Sequence, residues 1–356
     1  MRPSHQVRRS FYLHAAQHRM PVDVLRRMLD RLDPDTPPDG PDGPVALLER
    51  RVAELLGKET ALLFPTGTMA QQVALRVHAE RRGRPAFAAH PQCHLDVAEM
   101  RGYGAVHGLR FHPAGDRNEL MTGSDLARVG EPLAAVLWEL PQRDLGGLLP
   151  EWDDLREQVE AVRASGVAAH MDGARLWEAQ TYYERPLAEI AGLFDTVYVS
   201  LYKGLQGVRG AVLAADEDTM AQAAVWRHRL GGAITDAWPL ALAALAGLDD
   251  LLPRMPAFRE HAIAIAAAIN ADGVARAQPD PPQTPMFHIH LPAPKARVER
   301  AQLAMVADHG TRLFSALRTA PGGYGCSFEV SVGRHTLDFA PDEVVKLLHD
   351  LLDRAR

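Results

Sequence analysis

Two short apolar segments, each followed by one charged residue, most constrain what this chain can fold into. The first covers residues 167–171 and ends at Asp172. The second covers residues 194–200 and ends three residues before Lys203. Short apolar or β-rich runs bounded by turn residues predict buried strands, and residues 186–192 between them predict a short helix. The unit is therefore predicted to be strand, helix, strand.

Asp172 and Lys203 are expected to face one pocket. In a right-handed strand-helix-strand unit the strands are parallel, so their carboxyl ends open on the same edge of the sheet, where ligands bind. A lysine amine forms a Schiff base with an aldehyde cofactor, and a carboxylate opposite a pyridine nitrogen keeps that nitrogen protonated. The pair is what pyridoxal 5'-phosphate (PLP) chemistry requires. The alternative is a turn aspartate and a solvated lysine.

Composition argues against several classes of function. The 356 residues are 47% hydrophobic, enough for one large or two moderate cores, and no run of about eighteen apolar residues could span a membrane. A net charge of −6 provides no basic field for nucleic acid. Cys93 and Cys326 cannot build a disulfide framework, and residues 1–5 begin no secretory signal. We therefore expect a cytoplasmic protein without a nucleic-acid or membrane partner.

A phosphate-binding turn is predicted after an earlier apolar strand. That strand covers residues 61–64 and is followed by Pro65, by the tripeptide Thr66-Gly67-Thr68, and by an amphipathic helix over 69–78. Free backbone N–H groups, two hydroxyls and the helix dipole would meet at this turn and favour an anion such as phosphate. The alternative is a helix simply capped by Thr68, since the Walker and Gly-x-Gly-x-x-Gly patterns are absent.

Two further strand ends carry polar side chains. His94 follows a short apolar strand and precedes a helix over 95–101, where its imidazole could lie over an aromatic cofactor. A lone histidine is more often a helix-start or packing residue. Glu139 and Arg143 follow a buried strand over 134–138, at a position where ligands bind in α/β sheets. A surface salt bridge is the alternative.

The chain is expected to fold as an α/β protein in three parts. Residues 1–44 form an arm and loop, with a helix over 22–32 and a proline- and aspartate-rich stretch over 33–44 that is a linker or an active-site flap. Residues 45–250 form a large domain with a mostly parallel sheet. Residues 251–356 form a smaller α/β domain.

Two other polar segments leave alternatives open. His288 and His290 share a face of a strand predicted over 286–291, but without a nearby third ligand they do not predict a metal site. Residues 226–232 are basic and then glycine-rich. This pattern fits a phosphate contact, in this subunit or a neighbour, and equally a surface helix that ends at glycine.

With these segments placed, the chain resembles the threonine aldolase and β-eliminating lyase family, PLP enzymes of the aspartate-aminotransferase fold (fold type I). Three blocks in the family's order and spacing carry the resemblance: FPTGTMA at 64–70, HMDGAR at 170–175 and SLYKGL at 200–205. The likeness extends over about residues 45–250. It implies a large domain with a mostly parallel sheet and a smaller C-terminal α/β domain.

The resemblance also implies roles for individual residues. Lys203 should form the Schiff base, Asp172 should pair with the pyridinium, and residues 66–68 should hold the phosphate. His94 should stack on the cofactor ring. Arg175 should lie near the cofactor's phenolic oxygen or the substrate carboxylate.

Ser200, the first residue of the third block, is a further predicted cofactor contact. The family's enzymes are usually homodimers or homotetramers with sites at subunit interfaces. The same assembly is therefore expected for this chain, with a small amino acid as its substrate.

Three departures from the family pattern bear on the substrate. The family's N-terminal Arg-Ser-Asp-Thr segment is matched only by residues 8–11. Residues 141–143 replace an Asn-x-His type segment, so a histidine that could handle a proton is missing. Glu329 stands where the family has the arginine that binds the substrate carboxylate, which leaves Arg143 or Arg334 as substitutes. The candidate substrate contacts are Glu139, Arg143, Arg175 and Arg334.

The predicted function is a PLP-dependent aldolase, a carbon–carbon lyase that cleaves a β-hydroxy-α-amino acid such as threonine or allo-threonine to glycine and an aldehyde. His94 is the candidate base for the β-hydroxyl proton, directly or through water. The rivals are β-elimination or another PLP reaction on an unusual amino acid, a catalytically silent PLP-binding protein, and a lysine Schiff-base aldolase without PLP. The last is disfavoured because it needs neither Asp172 nor the turn at residues 66–68.

Overall fold

The computed structural model describes residues 7–11, 21–320 and 322–356. These residues form two compact units. The larger unit covers Arg19–Pro253, and the smaller covers Arg254–Arg356 together with the described residues 7–11. Of the predicted N-terminal arm, residues 1–6 and 12–20 lie outside the described part of the chain.

Strands and helices alternate along most of the chain. The strands are β1 (Arg9–Ser10), β2 (Thr60–Phe64), β3 (Ala86–Ala89), β4 (Arg110–Pro113), β5 (Leu133–Glu139), β6 (Ala168–Gly173), β7 (Thr196–Ser200), β8 (Ala211–Ala215), β9 (Arg276–Gln278), β10 (Met286–Leu291), β11 (Thr311–Arg312), β12 (Arg318–Thr319) and β13 (Cys326–Ser331). The helices are α1 (Pro21–Leu29), α2 (Pro44–Leu56), α3 (Gly67–Arg82), α4 (His94–Val97), α5 (Gly102–His107), α6 (Gly123–Ala127), α7 (Trp152–Ala164), α8 (Leu176–Tyr183), α9 (Leu187–Gly192), α10 (Glu217–Arg229), α11 (Trp238–Asp250), α12 (Met255–Asp272), α13 (Lys295–His309) and α14 (Pro341–Arg354).

The larger unit is built on a seven-stranded sheet with the strand order β2-β8-β7-β6-β5-β3-β4. The neighbours from β7 to β4 are parallel, whereas β8 is antiparallel to both β7 and β2. Every residue of β3, β5, β6, β7 and β8 is buried. Strands covered on both faces read as continuous apolar runs, which is why they could be found in the sequence. The predicted mostly parallel sheet is confirmed.

Two side chains form hydrogen bonds with the outward backbone groups of Leu63 on the edge strand β2. The Leu63 N–H donates to Glu49 Oε1 at 2.6 Å, and the Leu63 carbonyl accepts from Arg227 Nη1 at 2.7 Å. Glu49 and Arg227 themselves approach to 3.7 Å. Backbone groups that point away from β8 are therefore satisfied by α2 and α10, which leaves no free pair at this point of the edge.

Helix α3 covers one face of the sheet and begins earlier than predicted. Its N-cap is Thr66, whose Oγ1 accepts from the Met69 N–H at 3.2 Å. The alternative in which Thr68 caps the helix is therefore wrong, because Thr66 has the extended backbone and the hydrogen bond that a cap requires. Val73 and Val77 pack against Tyr198 of β7 in the core of this unit.

The helix predicted over residues 95–101 is also wrong in extent. Helix α4 ends at Val97, and Met100 and Arg101 take left-handed backbone conformations, with φ of 54° and 55°. Helix α5 then begins at Gly102. Residues 226–229 are helical and belong to α10, which ends at Arg229 with Leu230 as its C-cap and not at a glycine. The phosphate contact of this segment stays a prediction.

The smaller unit contains a four-stranded antiparallel sheet in the order β12-β13-β10-β9 and the helices α12, α13 and α14. This agrees with the predicted smaller α/β domain. Strand β1 pairs in parallel with β11, and Arg9 of β1 forms a 2.6 Å ion pair with Glu343. Glu329 lies on β13 opposite His288 of β10.

Neither a metal-binding cluster nor a membrane-spanning helix is present among the described residues. No group of three or more histidine, cysteine, aspartate or glutamate residues in that part of the chain could hold a metal ion. Among the helices of the same residues, none combines the length and apolar character needed to cross a membrane.

Candidate active site

The structure brings Asp172 and the chain leading to Lys203 to one edge of the sheet. Strands β6 and β7 are parallel neighbours, and Asp172 is the register partner of Tyr198. Strand β7 ends at Ser200, three residues before Lys203. The predicted strand, helix, strand arrangement is confirmed, with two helices, α8 and α9, between the strands. The carboxyl ends of parallel strands are where α/β sheets bind ligands.

Asp172 is a buried carboxylate held by its own turn. Its side chain is 1% exposed, and Oδ1 accepts a hydrogen bond from the Ala174 N–H at 3.0 Å. Glycine is required next to it, because a Cβ on Gly173 would lie 2.6 Å from the Tyr198 carbonyl oxygen. A fixed anion at this depth is suited to pair with one cationic group of a ligand.

The Lys203 amine lies in the electrostatic field of this carboxylate. Desolvation lowers the pKa of Lys203 below its ordinary value, the charge of Asp172 opposes that shift, and Arg175 and Arg143 reinforce it. A lowered pKa increases the fraction of neutral amine. Neutral amine is the form that attacks a carbonyl carbon, so Lys203 is electrostatically prepared as a nucleophile.

Two buried histidines share one threonine hydroxyl close to Asp172. Thr196 Oγ1 lies 2.8 Å from His170 Nδ1 and 2.9 Å from His78 Nε2. Burial lowers the pKa of His170 to about 3 and that of His78 well below its ordinary value, so both rings are neutral at physiological pH. Since His170 precedes Asp172 by two residues, the two side chains project from one face of β6.

Glu139 organises the neighbouring strand end. Its Oε2 accepts from the His94 N–H at 3.0 Å, and its Oε1 accepts from the Arg143 N–H at 3.2 Å. Burial and the charge of Asp172 raise the pKa of Glu139 to about 8. The surface-salt-bridge alternative for Glu139 is therefore wrong, because the side chain is 9% exposed and binds backbone groups.

His94 stands at the start of α4, half-buried. Desolvation lowers the pKa of His94, Asp172 opposes the shift, and Lys203 and Arg143 add to it. The imidazole is therefore neutral at physiological pH and can accept a proton.

The turn at residues 66–68 has the properties of an anion-binding turn. The first N–H groups of a helix have no acceptor within the helix, and they point out of its N-terminus. Gly67 is required here, since a Cβ would lie 2.1 Å from Tyr198 Oη. Thr68 is exposed, and its hydroxyl donates to Glu99 Oε1 at 2.9 Å.

Ser200 and Arg175 flank the same strand ends. Ser200 is fully buried, and its carbonyl accepts from Trp177 Nε1 at 3.0 Å. Arg175 is 3% exposed and forms a 3.1 Å ion pair with the equally buried Glu178. The charge of Arg175 therefore lies close to Lys203 in a fixed position.

Two residues of the site were not predicted from the sequence. Gln142 is 2% exposed and lies 3.4 Å from Glu139 Oε2 through its amide nitrogen. Glu99 contacts the turn through Thr68. The nearby glycines at 102 and 104 were the available signal that the chain turns after Glu99 instead of continuing as a helix.

Arg334 and Glu329 belong to the smaller unit, whereas every other predicted site residue belongs to the larger unit. The predicted site residues of the larger unit lie at or just after strand ends and at the start of α3: Thr66, Gly67, Thr68, His94, Glu139, Arg143, Asp172, Arg175, Ser200 and Lys203.

The side chains of the larger unit fit PLP. The helix start at Gly67, where a Cβ would collide with Tyr198, provides backbone donors for a phosphate. The buried Asp172 would provide the anion for a pyridinium nitrogen, and Lys203, whose pKa is lowered, would provide the amine for the aldehyde. Each functional group of the cofactor thus has a counterpart.

Comparison with known proteins gives consistent matches. The model of the beta-eliminating lyase family matches residues 37–292. Low-specificity L-threonine aldolase 1 of Arabidopsis thaliana is 28% identical over 276 residues, which are 74% of this chain and 76% of the relative. Low specificity L-threonine aldolase of Escherichia coli (strain K12) is 29% identical over 66% of this chain and 71% of its own.

A crystal structure from Listeria monocytogenes EGD-E, assigned as an L-allo-threonine aldolase, superposes closely on this fold. The TM-score is 0.91 at 30% identity, over 99% of this chain and 98% of the other. The two chains therefore share one fold along nearly their whole lengths.

Proposed function

This chain belongs to the beta-eliminating lyase family, and from that premise we propose that it is a PLP-dependent aldolase cleaving a β-hydroxy-α-amino acid of the threonine type to glycine and an aldehyde. The observation that carries the proposal is the pairing of a buried Asp172 with a Lys203 amine of lowered pKa at adjacent strand ends. The relatives named above support the substrate class. They are threonine aldolases by name.

The residues of the larger unit would hold the cofactor by its three functional groups. Residues 66–68 would hold the phosphate, Asp172 would pair with the pyridine nitrogen, and Lys203 would bind the aldehyde carbon. His94 would lie over the ring, and Ser200 and Arg175 would complete the contacts near the lysine. When bound, PLP supplies a protonated ring that stabilises the carbanion left by cleavage of the Cα–Cβ bond.

His94 would take the proton of the substrate's β-hydroxyl group. Its neutral state, which follows from its lowered pKa, leaves one ring nitrogen able to accept that proton. Glu139 fixes the backbone of His94 and thereby the start of α4. A base within hydrogen-bond reach of the hydroxyl, directly or through one water, is what the cleavage step needs.

Arg143 would bind the substrate carboxylate. Its charge acts on both Lys203 and His94, so the guanidinium lies close to the groups that handle the substrate. Its backbone N–H is fixed by Glu139 at 3.2 Å. A guanidinium binds a carboxylate through two parallel hydrogen bonds, which would orient the Cα–Cβ bond.

β-Elimination is the alternative function, and none of the relatives named above favours it over aldol cleavage. The family's histidine after the Glu139 strand is replaced by a segment in which Gln142 is buried and bonded to its own loop. An amide cannot exchange a proton at physiological pH. Formation of pyruvate and ammonia would identify elimination, and formation of glycine and acetaldehyde from threonine would identify aldol cleavage.

We also propose that the enzyme acts in the cytoplasm as a homodimer or homotetramer. The support is its resemblance to the family and, for the compartment, the two buried free cysteines.

The decisive experiment is the visible absorption spectrum of the purified protein with PLP, before and after borohydride reduction. Wild type should show the band of a lysine-bound cofactor and lose it on reduction, whereas Lys203→Ala should never show it. Assays with threonine and allo-threonine should then release glycine and acetaldehyde. A protein that stays colourless with PLP would overturn the proposal, and a coloured protein without turnover on any amino acid would indicate a silent PLP-binding protein.

A further inference from the structure

Glu99 is a carboxyl group in an unexpected place, beside the turn at residues 66–68. Its Oε1 accepts the hydroxyl hydrogen of Thr68 at 2.9 Å. Its Oε2 is buried and has no hydrogen-bond partner within the described residues. If Glu99 were ionised, its carboxylate would repel a phosphate group bound at this turn, where we propose that the phosphate lies.

The direction of this hydrogen bond limits what Thr68 can do. While Glu99 is ionised, it can only accept, and Thr68 therefore spends its single hydrogen on Glu99. Thr68 then presents lone pairs, which repel a phosphate oxygen. If Glu99 carries a proton, the carboxyl group donates to Thr68 Oγ1, and the Thr68 hydrogen is free to bind phosphate.

The surroundings of Glu99 favour the protonated form. Burial, together with the charge of Asp172, raises the pKa of Glu99 to about 7, although the side chains of Thr68 and Gln72 and the charge of Lys203 partly oppose the rise. The charge of Glu99 in turn contributes to the raised pKa of the buried Tyr198 on β7. A second anion at the turn would raise the pKa again.

We propose that Glu99 is a positioning residue for the phosphate-binding turn, which takes up a proton when a phosphate group binds and so reverses its hydrogen bond with Thr68. The inference rests on the proposed PLP function, since PLP supplies the phosphate. In this step Glu99 takes one proton from solvent. The Thr68 hydroxyl then donates its hydrogen bond to the phosphate instead of to Glu99. PLP therefore binds more tightly at lower pH, because Glu99 is then protonated more easily.

The test measures protons taken up on binding, not turnover. PLP is titrated calorimetrically into the cofactor-free protein at pH 8, in two buffers of different ionisation enthalpy, with wild type and Glu99→Gln in parallel. Glutamine can donate to Thr68 Oγ1 through its amide nitrogen, and it cannot titrate. Wild type should take up close to one proton more than the variant, because protons common to Lys203 and PLP cancel in the comparison.

Affinity provides the second readout. Between pH 7 and 9 the Kd of wild type should weaken relative to that of Glu99→Gln by up to about tenfold per pH unit. Pyridoxal, which lacks the phosphate, should show no such difference between the two proteins. Thr68→Val should abolish the difference as well, and Thr68→Ser should retain it.

The possible results distinguish failure of the Glu99 inference from failure of the proposed PLP function. Equal proton uptake and parallel pH profiles in wild type and Glu99→Gln would overturn the inference while leaving PLP binding intact. A difference that persists with pyridoxal would also overturn it, since the effect would then not involve the phosphate. If wild type binds no PLP, both the inference and the proposed function fail.

Discussion

Glu139 and Asp172 stand directly opposite each other on the parallel strands β5 and β6, so their carboxyl groups project from the same face of the sheet. Two buried carboxyl groups in register on neighbouring strands do not both ionise easily. Burial and the charge of Asp172 raise the pKa of Glu139 to about 8, so Glu139 holds a proton at neutral pH. The pair thus combines one fixed anion with one neutral acid.

Glu139→Gln is expected to change how stability depends on pH. A carboxyl whose folded-state pKa lies above its unfolded value contributes stability at low pH, and the contribution is lost as pH rises from the unfolded pKa to the folded one. Wild type should therefore lose stability between about pH 4.5 and 8 by up to about 1.4 kcal/mol per pH unit, relative to the variant. Urea midpoints of the cofactor-free proteins at pH 5 and pH 8 measure this. A constant difference between the two proteins would contradict it.

Gly67→Ala is expected to destabilise the start of α3. The added Cβ would lie 2.1 Å from Tyr198 Oη and 2.6 Å from Tyr198 Cζ, so the ring or the turn must move. A cost of about 1–3 kcal/mol is typical of such overpacking. Tyr198→Phe in the same chain should recover part of it by removing the hydroxyl.

The matched control for this change is Gly104→Ala. There the Cβ would meet only the Leu109 carbonyl oxygen, at 3.5 Å, which is ordinary contact. Alanine in a helix is favoured over glycine by about 0.5–1 kcal/mol, so this variant should be as stable as wild type or slightly more so. Urea denaturation of both variants decides the comparison, and equal losses would refute the steric argument.

Thr196→Val should remove the hydroxyl that His78 and His170 share. Both rings are buried, and each would lose a partner, at a cost of about 1–3 kcal/mol for a buried group left unsatisfied. Thr196→Ser keeps the hydroxyl and should remain within about 1 kcal/mol of wild type. Chemical denaturation at pH 7.5 provides the measurement. A valine variant as stable as the serine variant would show that the shared hydrogen bonds contribute nothing.

The same histidines predict a loss of stability in acid. Their pKa values are lowered in the folded protein, so the unfolded chain binds protons first as pH falls below about 6.5. Stability should therefore decrease from pH 6.5 towards pH 3. His170→Asn should flatten part of this decrease in the midpoint of urea unfolding, and an unchanged slope would exclude His170 as its source.

Asp172→Asn should leave PLP bound but slow turnover. Asparagine is nearly the same size, yet it removes the charge that would keep the pyridine nitrogen protonated. A charge-assisted hydrogen bond is worth about 1.5–3 kcal/mol, which corresponds to a fall in kcat of about 10- to 100-fold. Steady-state kinetics with threonine measure it, and the spectrum of the bound cofactor serves as the control for occupancy. An unchanged kcat would remove Asp172 from the mechanism.

The central strands and the Asp172 and Lys203 positions could be predicted because their signals are local. A fully buried strand is an uninterrupted apolar run, and the charged residue at its end interrupts that run. Strand β10, predicted over residues 286–291, was located at its observed bounds. Helix ends were less accurate, since Thr66 and Thr68 are both good caps, and only the backbone of Thr66 decides between them.

Glu99 could not be predicted, because its environment is produced by distant parts of the chain. Its contact with Thr68 spans 31 residues and depends on the left-handed backbone at Met100 and Arg101. The sequence there continues an amphipathic pattern, which favoured one longer helix. The pKa of Glu139 is likewise a property of its cross-strand neighbour, which no spacing within one strand reveals.

The way Leu63 is bound at the border of the seven-stranded sheet also has a consequence for the protein at high concentration. An exposed border strand is a template on which a second chain can pair and begin an aggregate. At Leu63 both main-chain groups are already taken by Glu49 and Arg227. A foreign strand would have to displace two charged side chains at once. Glu49 and Arg227 thus oppose the pairing of a second chain at this point of the edge strand.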